Sequence, residues 1–228
     1  MPQARNVAGR SPKQLLFEQF ALVAKTLGHA HRLELLEQLA QGERSVEELA
    51  AKTGLSIANA SQHLQRMARA GLVASRREGK FVRYRLSGNA VLDALAALRK
   101  IAEANVAEVG RVVRSYFDER DSLEAVSRKE LLKRSRAGTV MILDVRPPDE
   151  FALGHLPGAV NVPLRGLEAR LSGFKRSTEI VAYCRGPYCV LSYEAVAALR
   201  KRGFKARRLE DGFPEWRAAG LPFDVGNS

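Results

Sequence analysis

Cysteine is nearly absent from this chain of 228 residues, which has only Cys184 and Cys189, close together in one short segment. Two cysteines without a secretory leader do not make a disulfide framework, so reactive or metal-binding thiols are the better interpretation. The first 120 residues contain no cysteine at all. A soft-metal or arsenite site built on cysteine clusters is therefore excluded from that half.

Long hydrophobic runs are missing as well. No segment approaches the ~18 apolar residues that a membrane span needs. The N-terminus, MPQARNVAGRSPKQ, has no apolar stretch of the kind found in secretory signals. We therefore expect a cytoplasmic protein with no membrane partner. His29 and His31 lie close together but lack a persuasive set of further ligands, so we expect neither a metal nor a cofactor.

Acidic residues are outnumbered: 25 Asp and Glu stand against 37 Lys and Arg, and the formal net charge is +12. A basic balance favours polyanionic partners, although it also describes a merely solubilising surface. Charge alone does not decide between them, so the assignment depends on the motifs.

Start and stop signals for helices recur through the first half. Ser45 and Glu48 form a capping box for a short helix that ends at Gly54. Ser56 then begins a second helix, and the pair predicts a helix-turn-helix. Two β-rich runs follow and meet near Gly79, which predicts a hairpin, or wing.

A long apolar stripe follows the wing and predicts one helix from Asn89 to Phe117. The stripe needs a partner, and a second copy of the chain is the natural one. We place the first domain, mainly α-helical, at residues 1–120. Residues 121–228 form a linker and an α/β domain with a mainly parallel sheet, because strand and helix patterns alternate there. Its expected strands are TVMILDVR, AVNVPL, EIVAYC and KARRLE.

The second helix of the helix-turn-helix has the composition of a DNA-recognition helix. Ala60, Leu64 and Met67 recur at helical spacing and are expected to point inward, which leaves amide and cationic side chains on the other faces. Asn and Gln can read adenine edges, and Arg can bind guanine or phosphate. The wing adds further cations. The candidates are Ser56, Asn59, Ser61, Gln62, His63, Arg66, Arg76, Arg77, Lys80 and Arg83.

The stretch LGHAHRLELLEQLAQGERSVEELAAKTGLSIANASQHLQRMARAGLVASRREGKFVRYRLS resembles the ArsR family of winged helix-turn-helix repressors. The resemblance implies a homodimer on a palindromic double-stranded DNA operator, released by an inducer. Metal-sensing members carry thiolates in the helix before the turn. The corresponding segment here, SVEELAAKTG, carries none.

The two cysteines flank a loop between a strand and a helix. Loop amides and the helix N-terminus favour an anion, so we expect a lowered pKa and an accessible thiolate at Cys184. Inert small hydrophobic residues are the alternative. The loop between them consists of Arg185, Gly186, Pro187 and Tyr188.

The second half resembles the rhodanese domain through LDVRPPDEFALGHLPGAVNVPL, IVAYCRGPYC, SYEAVAALRKRGF and LEDGFPEWRAAGLPF. The resemblance implies that Cys184 accepts sulfur as a persulfide from a small sulfur donor. It also makes Asp144 and Arg146 supporting residues near the loop, although a buried structural ion pair is the favoured interpretation of the two.

Two departures from the rhodanese pattern suggest another task. Cys189 replaces the usual cation, and Pro187 removes one amide donor. We therefore expect a DNA-binding regulator, most simply a repressor, that senses or processes reactive sulfur, with Cys189 resolving what Cys184 receives. The alternatives are a sulfurtransferase with an auxiliary DNA-binding domain, a thiol-disulfide switch that responds to peroxide, and arsenic sensing through the two thiols.

Overall fold

The computed structural model describes residues 10–118 and 125–226. The chain divides into two compact units, Met1–Val91 and Leu92–Ser228, and each is described by itself. The predicted boundary between residues 120 and 121 lies outside the described residues and stays a prediction.

Four helices form the body of the first unit, and their ends follow the sequence signals. The Ser45 hydroxyl accepts from the Glu48 amide at 3.2 Å, and the Glu48 carboxylate accepts from the Ser45 amide at 2.6 Å. Gly54 closes the same helix in the left-handed conformation, as glycine does at helix ends. The helices are α1 (Pro12–Leu27), α2 (Ala30–Gln41), α3 (Val46–Thr53) and α4 (Ile57–Arg69).

The wing is an antiparallel sheet that holds the recognition helix from one side. Its strands are β1 (Arg44–Ser45), β2 (Val73–Glu78) and β3 (Phe81–Leu86), in the order β1-β3-β2. Gly79 has φ +60° in the turn between β2 and β3, where an L side chain would be strained. The predicted hairpin is confirmed.

Helix α5 differs from the prediction. The sequence predicted one helix from Asn89 to Phe117, but α5 (Asn89–Asn105) ends before Val106, whose backbone is extended at φ −107°. Asparagine and β-branched valine are weak helix formers, and the Asn105 side chain donates to a backbone carbonyl of the preceding turn. The chain continues as α6 (Ala107–Val112) and a π-helical turn, Val113–Asp118.

A parallel four-stranded sheet organises the second unit, in the order β5-β4-β6-β7. Its strands are β4 (Val140–Asp144), β5 (Val160–Asn161), β6 (Glu179–Tyr183) and β7 (Ala206–Arg208). The helices around it are α7 (Arg128–Arg136), α8 (Pro148–Leu153), α9 (Leu167–Arg170), α10 (Val190–Lys201) and α11 (Phe213–Ala218). The four predicted strands and the α/β class are confirmed.

Strand β6 alternates its side chains between two buried clusters, as strands do. Ile180 and Ala182 face one cluster, which includes residues of α10, whereas Val181 and Tyr183 face the other. Cys184, the next residue, continues the first of these two sets. Because every second side chain of a strand faces the same way, the Cys184 side chain points into the core.

Among residues 10–118 and 125–226, no helix combines the length and the apolar character required to cross a lipid bilayer.

Candidate functional site: a buried cysteine pair and a polar recognition helix

Cys184 and Cys189 form a disulfide across the loop, with their Cα atoms 6.0 Å apart. This separation lies inside the ~4.4–6.8 Å that disulfides require. The loop between β6 and α10 thus brings the two thiols together, although their roles stay a prediction. The Cys189 amide donates to the Gly186 carbonyl oxygen at 3.1 Å, so the loop curls back on itself.

Both sulfur-bearing side chains are buried in this form, Cys184 at 1% and Cys189 at 8% exposure. Their cluster includes Ala195 and Val196 of α10. Cys184 is therefore inaccessible in the disulfide form, and an accessible thiolate in the reduced form stays a prediction. Two features account for this. The alternation of side chains along β6 points Cys184 inward, and the Cys189 amide donates to the Gly186 carbonyl oxygen rather than to a sulfur.

Arg185 forms a bidentate salt bridge with a buried carboxylate. Its Nε and Nη2 donate to the two oxygens of Glu150 at 2.9 and 2.7 Å, and Glu150 is completely buried. Bidentate pairs of this kind fix the guanidinium in place. Arg185 therefore anchors the start of the loop on α8.

Asp144 and Arg146 form a second buried pair at the end of β4, each with no exposed surface. Arg146 donates to Asp144 from its amide at 2.9 Å and from Nη2 at 2.6 Å, and also to the Gly154 carbonyl at 2.7 Å. Burial lowers the pKa of Arg146, but the bonds and charge of Asp144 outweigh this and raise it above its ordinary value. The geometry is that of a structural ion pair, one of the two interpretations of the sequence.

Gly212 packs directly against the backbone of the cysteine loop. A Cβ at this position would lie 2.3 Å from the Gly186 nitrogen and 2.4 Å from the Arg185 carbonyl carbon. The following amide, of Phe213, donates to the Cys184 carbonyl oxygen at 3.1 Å. The two loops therefore touch backbone to backbone, and only glycine fits between them.

Replacing Gly212 with alanine is expected to destabilise the second unit by about 1–3 kcal/mol, because backbone atoms cannot rotate away from the new methyl group. Urea unfolding followed by the fluorescence of Trp216, the single tryptophan and a buried one, measures this unit. Gly166→Ala is the control, since a Cβ there meets nothing within 4 Å. Equal stability of the two variants would contradict the prediction.

The recognition helix α4 has the predicted division of faces. Ala60, Leu64 and Met67 are fully buried, and this part of the prediction is confirmed. The Ser56 hydroxyl caps the helix by accepting from the Asn59 amide at 3.2 Å. Of the candidates on this helix, Asn59, Gln62 and Arg66 are exposed, while Ser61 and His63 are partly buried.

Two of the wing arginines are paired with acids of their own unit. Arg76 bonds Glu43 at 2.5 Å and Glu78 at 3.2 Å, and Arg83 bonds Glu78 and, at 3.4 Å, Glu48. Contact of both arginines with DNA stays a prediction, and these acids compete with phosphate for them. Arg77 and Lys80 are exposed near the wing tip.

His63 lies in a cluster of three imidazoles that the sequence did not predict. Its ring centroid is 4.7 Å from that of His29 and 5.9 Å from that of His31. Burial lowers the pKa of His63, and the charges of His29 and Arg32 add to the effect. No set of three or more His, Cys, Asp or Glu side chains in the described part of the chain is arranged to hold a metal ion.

Sequence reasoning missed several side chains around the cysteine loop. Glu150, which holds Arg185, lies 35 residues before it in the chain, and no local pattern marks this contact. Glu215 accepts from the Gly212 amide at 3.1 Å and lies beside Gly186. Its only sequence signal was its place in the last rhodanese-like segment, which says nothing of the contact.

Two family models match separate parts of the chain. A helix-turn-helix domain matches residues 27–76, and a rhodanese-like domain matches residues 127–219. The two matches fall on α2–β2 and on α7–α11 respectively.

Known relatives cover the whole chain or one half of it. The HTH-type transcriptional regulator Rv0324 of Mycobacterium tuberculosis is 42% identical over 221 residues, which cover 96% of this chain and 97% of the relative. A sulfurtransferase of Allochromatium vinosum is 33% identical over 84 residues, 36% of this chain and 77% of that protein.

Among solved structures, the homodimeric winged helix-turn-helix DNA-binding domain (fragment 1–100) of Mb0332 from Mycobacterium bovis is 40% identical, with a TM-score of 0.40. It covers 44% of this chain, and this chain covers 94% of it. The full-length match to Rv0324 decides the classification. The chain belongs to the HTH-type transcriptional regulators in which an ArsR-type winged helix-turn-helix region is joined to a C-terminal rhodanese-like domain.

Proposed function

We propose that this regulator is a homodimeric DNA-binding repressor whose rhodanese-like domain senses reactive sulfur through Cys184 and Cys189. The observation that carries the proposal is the disulfide between them, in the loop where a rhodanese-like domain would carry its sulfur acceptor.

The DNA-binding surface would consist of the exposed side of α4 and the wing. Asn59 and Gln62 offer the paired donor and acceptor that read an adenine edge in the major groove. Arg66, Arg77 and Lys80 would contact phosphates, which fix the position of the protein without reading sequence. Ser56 would act indirectly, because its hydroxyl caps the recognition helix.

Glu78 pairs with Arg76 and Arg83 and so weakens the attraction of these two arginines for DNA phosphates. Glu78→Gln is expected to tighten operator binding by about threefold to tenfold at low salt, because Arg76 and Arg83 lose a competing anion. The measurement is fluorescence anisotropy with a labelled operator at several salt concentrations.

The matched control for this variant is Glu18→Gln, which removes the same charge from an exposed ion pair on α1. The slope of log affinity against log salt should steepen by about 0.9 for each new phosphate contact in Glu78→Gln and stay unchanged in the control. Equal affinity and slope in both variants would show that the wing pairs do not restrain DNA binding.

Dimerisation is supported by apolar side chains that the single chain leaves exposed. Phe17 and Phe20 of α1 are 58% and 61% exposed, and their rings form an edge-to-face pair. Ile101 of α5 is 61% exposed. Several large apolar residues along one helix are costly in water and typical of surfaces that a partner covers.

The proposed sulfur chemistry balances in two steps. In the reduced protein, the Cys184 thiolate attacks the terminal sulfur of a polysulfide, which leaves one sulfur shorter, and Cys184 becomes a persulfide. The Cys189 thiolate then attacks the Cys184 sulfur, breaks its bond to the added sulfur and releases hydrosulfide. The product is the Cys184–Cys189 disulfide, and the loop holds the two Cα atoms 6.0 Å apart, within the range that a disulfide requires.

Mass spectrometry of the reduced protein tests this chemistry after polysulfide or peroxide treatment. The proposal requires polysulfide to add sulfur to Cys184 or to form the disulfide with release of one sulfide per chain. If only peroxide forms the disulfide, and polysulfide leaves the thiols unchanged, the pair is an oxidant switch instead.

A sulfurtransferase is the second candidate, supported by the similarity to a sulfurtransferase over 84 residues. Against it, Cys189 takes the place of a sulfonate-binding cation, and Arg185 is held by Glu150. A thiosulfate:cyanide assay on the full chain separates the two candidates. Turnover that is lost in Cys184→Ser would favour the enzyme.

A further inference from the structure

Helix α5 lies beside the cysteine loop within the second unit, to which its residues from Leu92 onward belong. A cavity of about 650 Å³ separates the two elements. One face of the helix lines it, with Leu92, Ala96, Arg99 and Glu103 at helical spacing. Pro187 and Tyr188 line it from the loop.

Tyr188 makes the first contact across this cavity. Its hydroxyl donates a hydrogen bond to the Glu103 carboxylate, and burial together with this bond raises the pKa of Tyr188 to about 12. The Arg99 guanidinium lies 5.9 Å from the centre of the tyrosine ring. Tyr188 precedes Cys189 directly, so its contacts across the cavity hold the backbone beside the disulfide.

Glu215 makes the second contact, from the opposite side of the loop. Its Oε1 lies 3.7 Å from Arg99 Nη1, and its Oε2 accepts from the Gly212 amide at 3.1 Å. Gly212 in turn touches the backbone of Gly186. Helix α5 is thus linked to both halves of the six-residue segment that begins and ends with the cysteines.

We propose that Arg99 and Glu103 are positioning residues for the Cys184–Cys189 loop, so that the oxidation state of the thiols is coupled to the position of α5. This inference deepens the proposed function, on which it rests, by naming the route from the thiols toward the DNA-binding half. Helix α5 starts at Asn89, directly after the wing strand β3.

Coupling of this kind is reciprocal. If the disulfide form favours the contacts to α5, then those contacts favour the disulfide by the same factor. Hydrogen bonds to charged groups are the stronger class, so the bond between Tyr188 and Glu103 is the one to remove. Tyr188→Phe removes the donor and Glu103→Met removes the acceptor, each with little change of size.

The test is a redox equilibrium of the full-length protein with dithiothreitol. The dithiol loses two hydrogens and closes to a cyclic disulfide, while Cys184 and Cys189 each gain one and become thiols. In Tyr188→Phe and Glu103→Met, the equilibrium should move about tenfold toward the thiols, which is about 30 mV for a two-electron couple. Lys100→Gln is the control, since Lys100 lines the same cavity.

The double variant Tyr188→Phe/Glu103→Met distinguishes a coupled contact from general loosening. It should shift the equilibrium no further than either single variant, because both remove the same bond. Wild-type equilibria in both single variants, or additive shifts in the double variant, would overturn the inference.

This test uses neither DNA nor polysulfide, so it separates the inference from the proposed function. Shifted equilibria together with an operator affinity that ignores the thiols would reject the proposed function and keep the positioning role. Unshifted equilibria in a protein whose operator affinity follows its thiols would reject only the route through α5.

Discussion

Replacing Cys184 with serine is expected to abolish the effect of polysulfide on operator binding, while the reduced variant binds the operator as tightly as the reduced wild type. The variant has no sulfur acceptor and cannot form the disulfide, since the chain has no third cysteine. The substitution lies in the second unit, whereas the recognition helix and wing lie in the first. Fluorescence anisotropy before and after treatment measures the change.

Cys189→Ser is the informative companion of this variant. It keeps the proposed acceptor but lacks the thiol that releases the added sulfur, so a persulfide should accumulate on Cys184 after polysulfide treatment. If polysulfide changes the operator affinity of Cys184→Ser as much as that of the wild type, the cysteine pair does not regulate DNA binding. A Cys189→Ser variant that forms no persulfide would remove the acceptor role alone.

The buried pair of Asp144 and Arg146 is expected to dominate the stability of the second unit. Asp144→Asn removes the carboxylate that Arg146 bonds directly and leaves only the charge of Glu150 acting on the buried guanidinium, and breaking such a pair costs about 3–5 kcal/mol. For a unit of this size the midpoint of thermal unfolding should fall by about 10 °C or more. Denaturation followed through Trp216 fluorescence gives both quantities.

The double variant Asp144→Asn/Arg146→Met provides the control. It removes the buried charge of Arg146 as well and should recover part of the lost stability, as replacements of whole buried pairs do. A loss below about 1 kcal/mol in Asp144→Asn would mean that water or another group compensates Arg146. Asp144 would then be a candidate for a direct role in sulfur chemistry.

Local signals predicted most of the fold because they act over a few residues. Ser45, Glu48 and Gly54 define a helix through bonds inside one turn at each end. Gly79 similarly fixes the wing turn through its own backbone conformation. The strands of the parallel sheet were visible as apolar runs, because both faces of such a sheet are buried.

Contacts distant in sequence account for the errors at the site. Glu150 and Glu215 reach the cysteine loop only once α8 and α11 have packed, and no local pattern announces this. The wing cations were counted without the acids Glu43 and Glu48, which lie more than thirty residues away from Arg76 and Arg83. Pairing between such positions depends on the sheet register and the packing of α3.

The burial of Cys184 could have been predicted from the sequence. Ile180 and Ala182 precede it at alternate positions, and β6 carries both into one cluster. Extending that alternation by one step would have placed the side chain in the core. The resemblance to a rhodanese loop predicted an accessible thiolate, whereas the two-residue alternation of β6 decides where the Cys184 side chain points.

One measurement tests the central claim most directly: the operator affinity of the wild-type protein with Cys184 and Cys189 fully reduced and fully disulfide-bonded, at one fixed salt concentration. The account predicts that the two affinities differ by about tenfold or more, within the range typical of coupling between sites. Identical affinities of the two forms would contradict it and leave the rhodanese-like domain without influence on DNA binding.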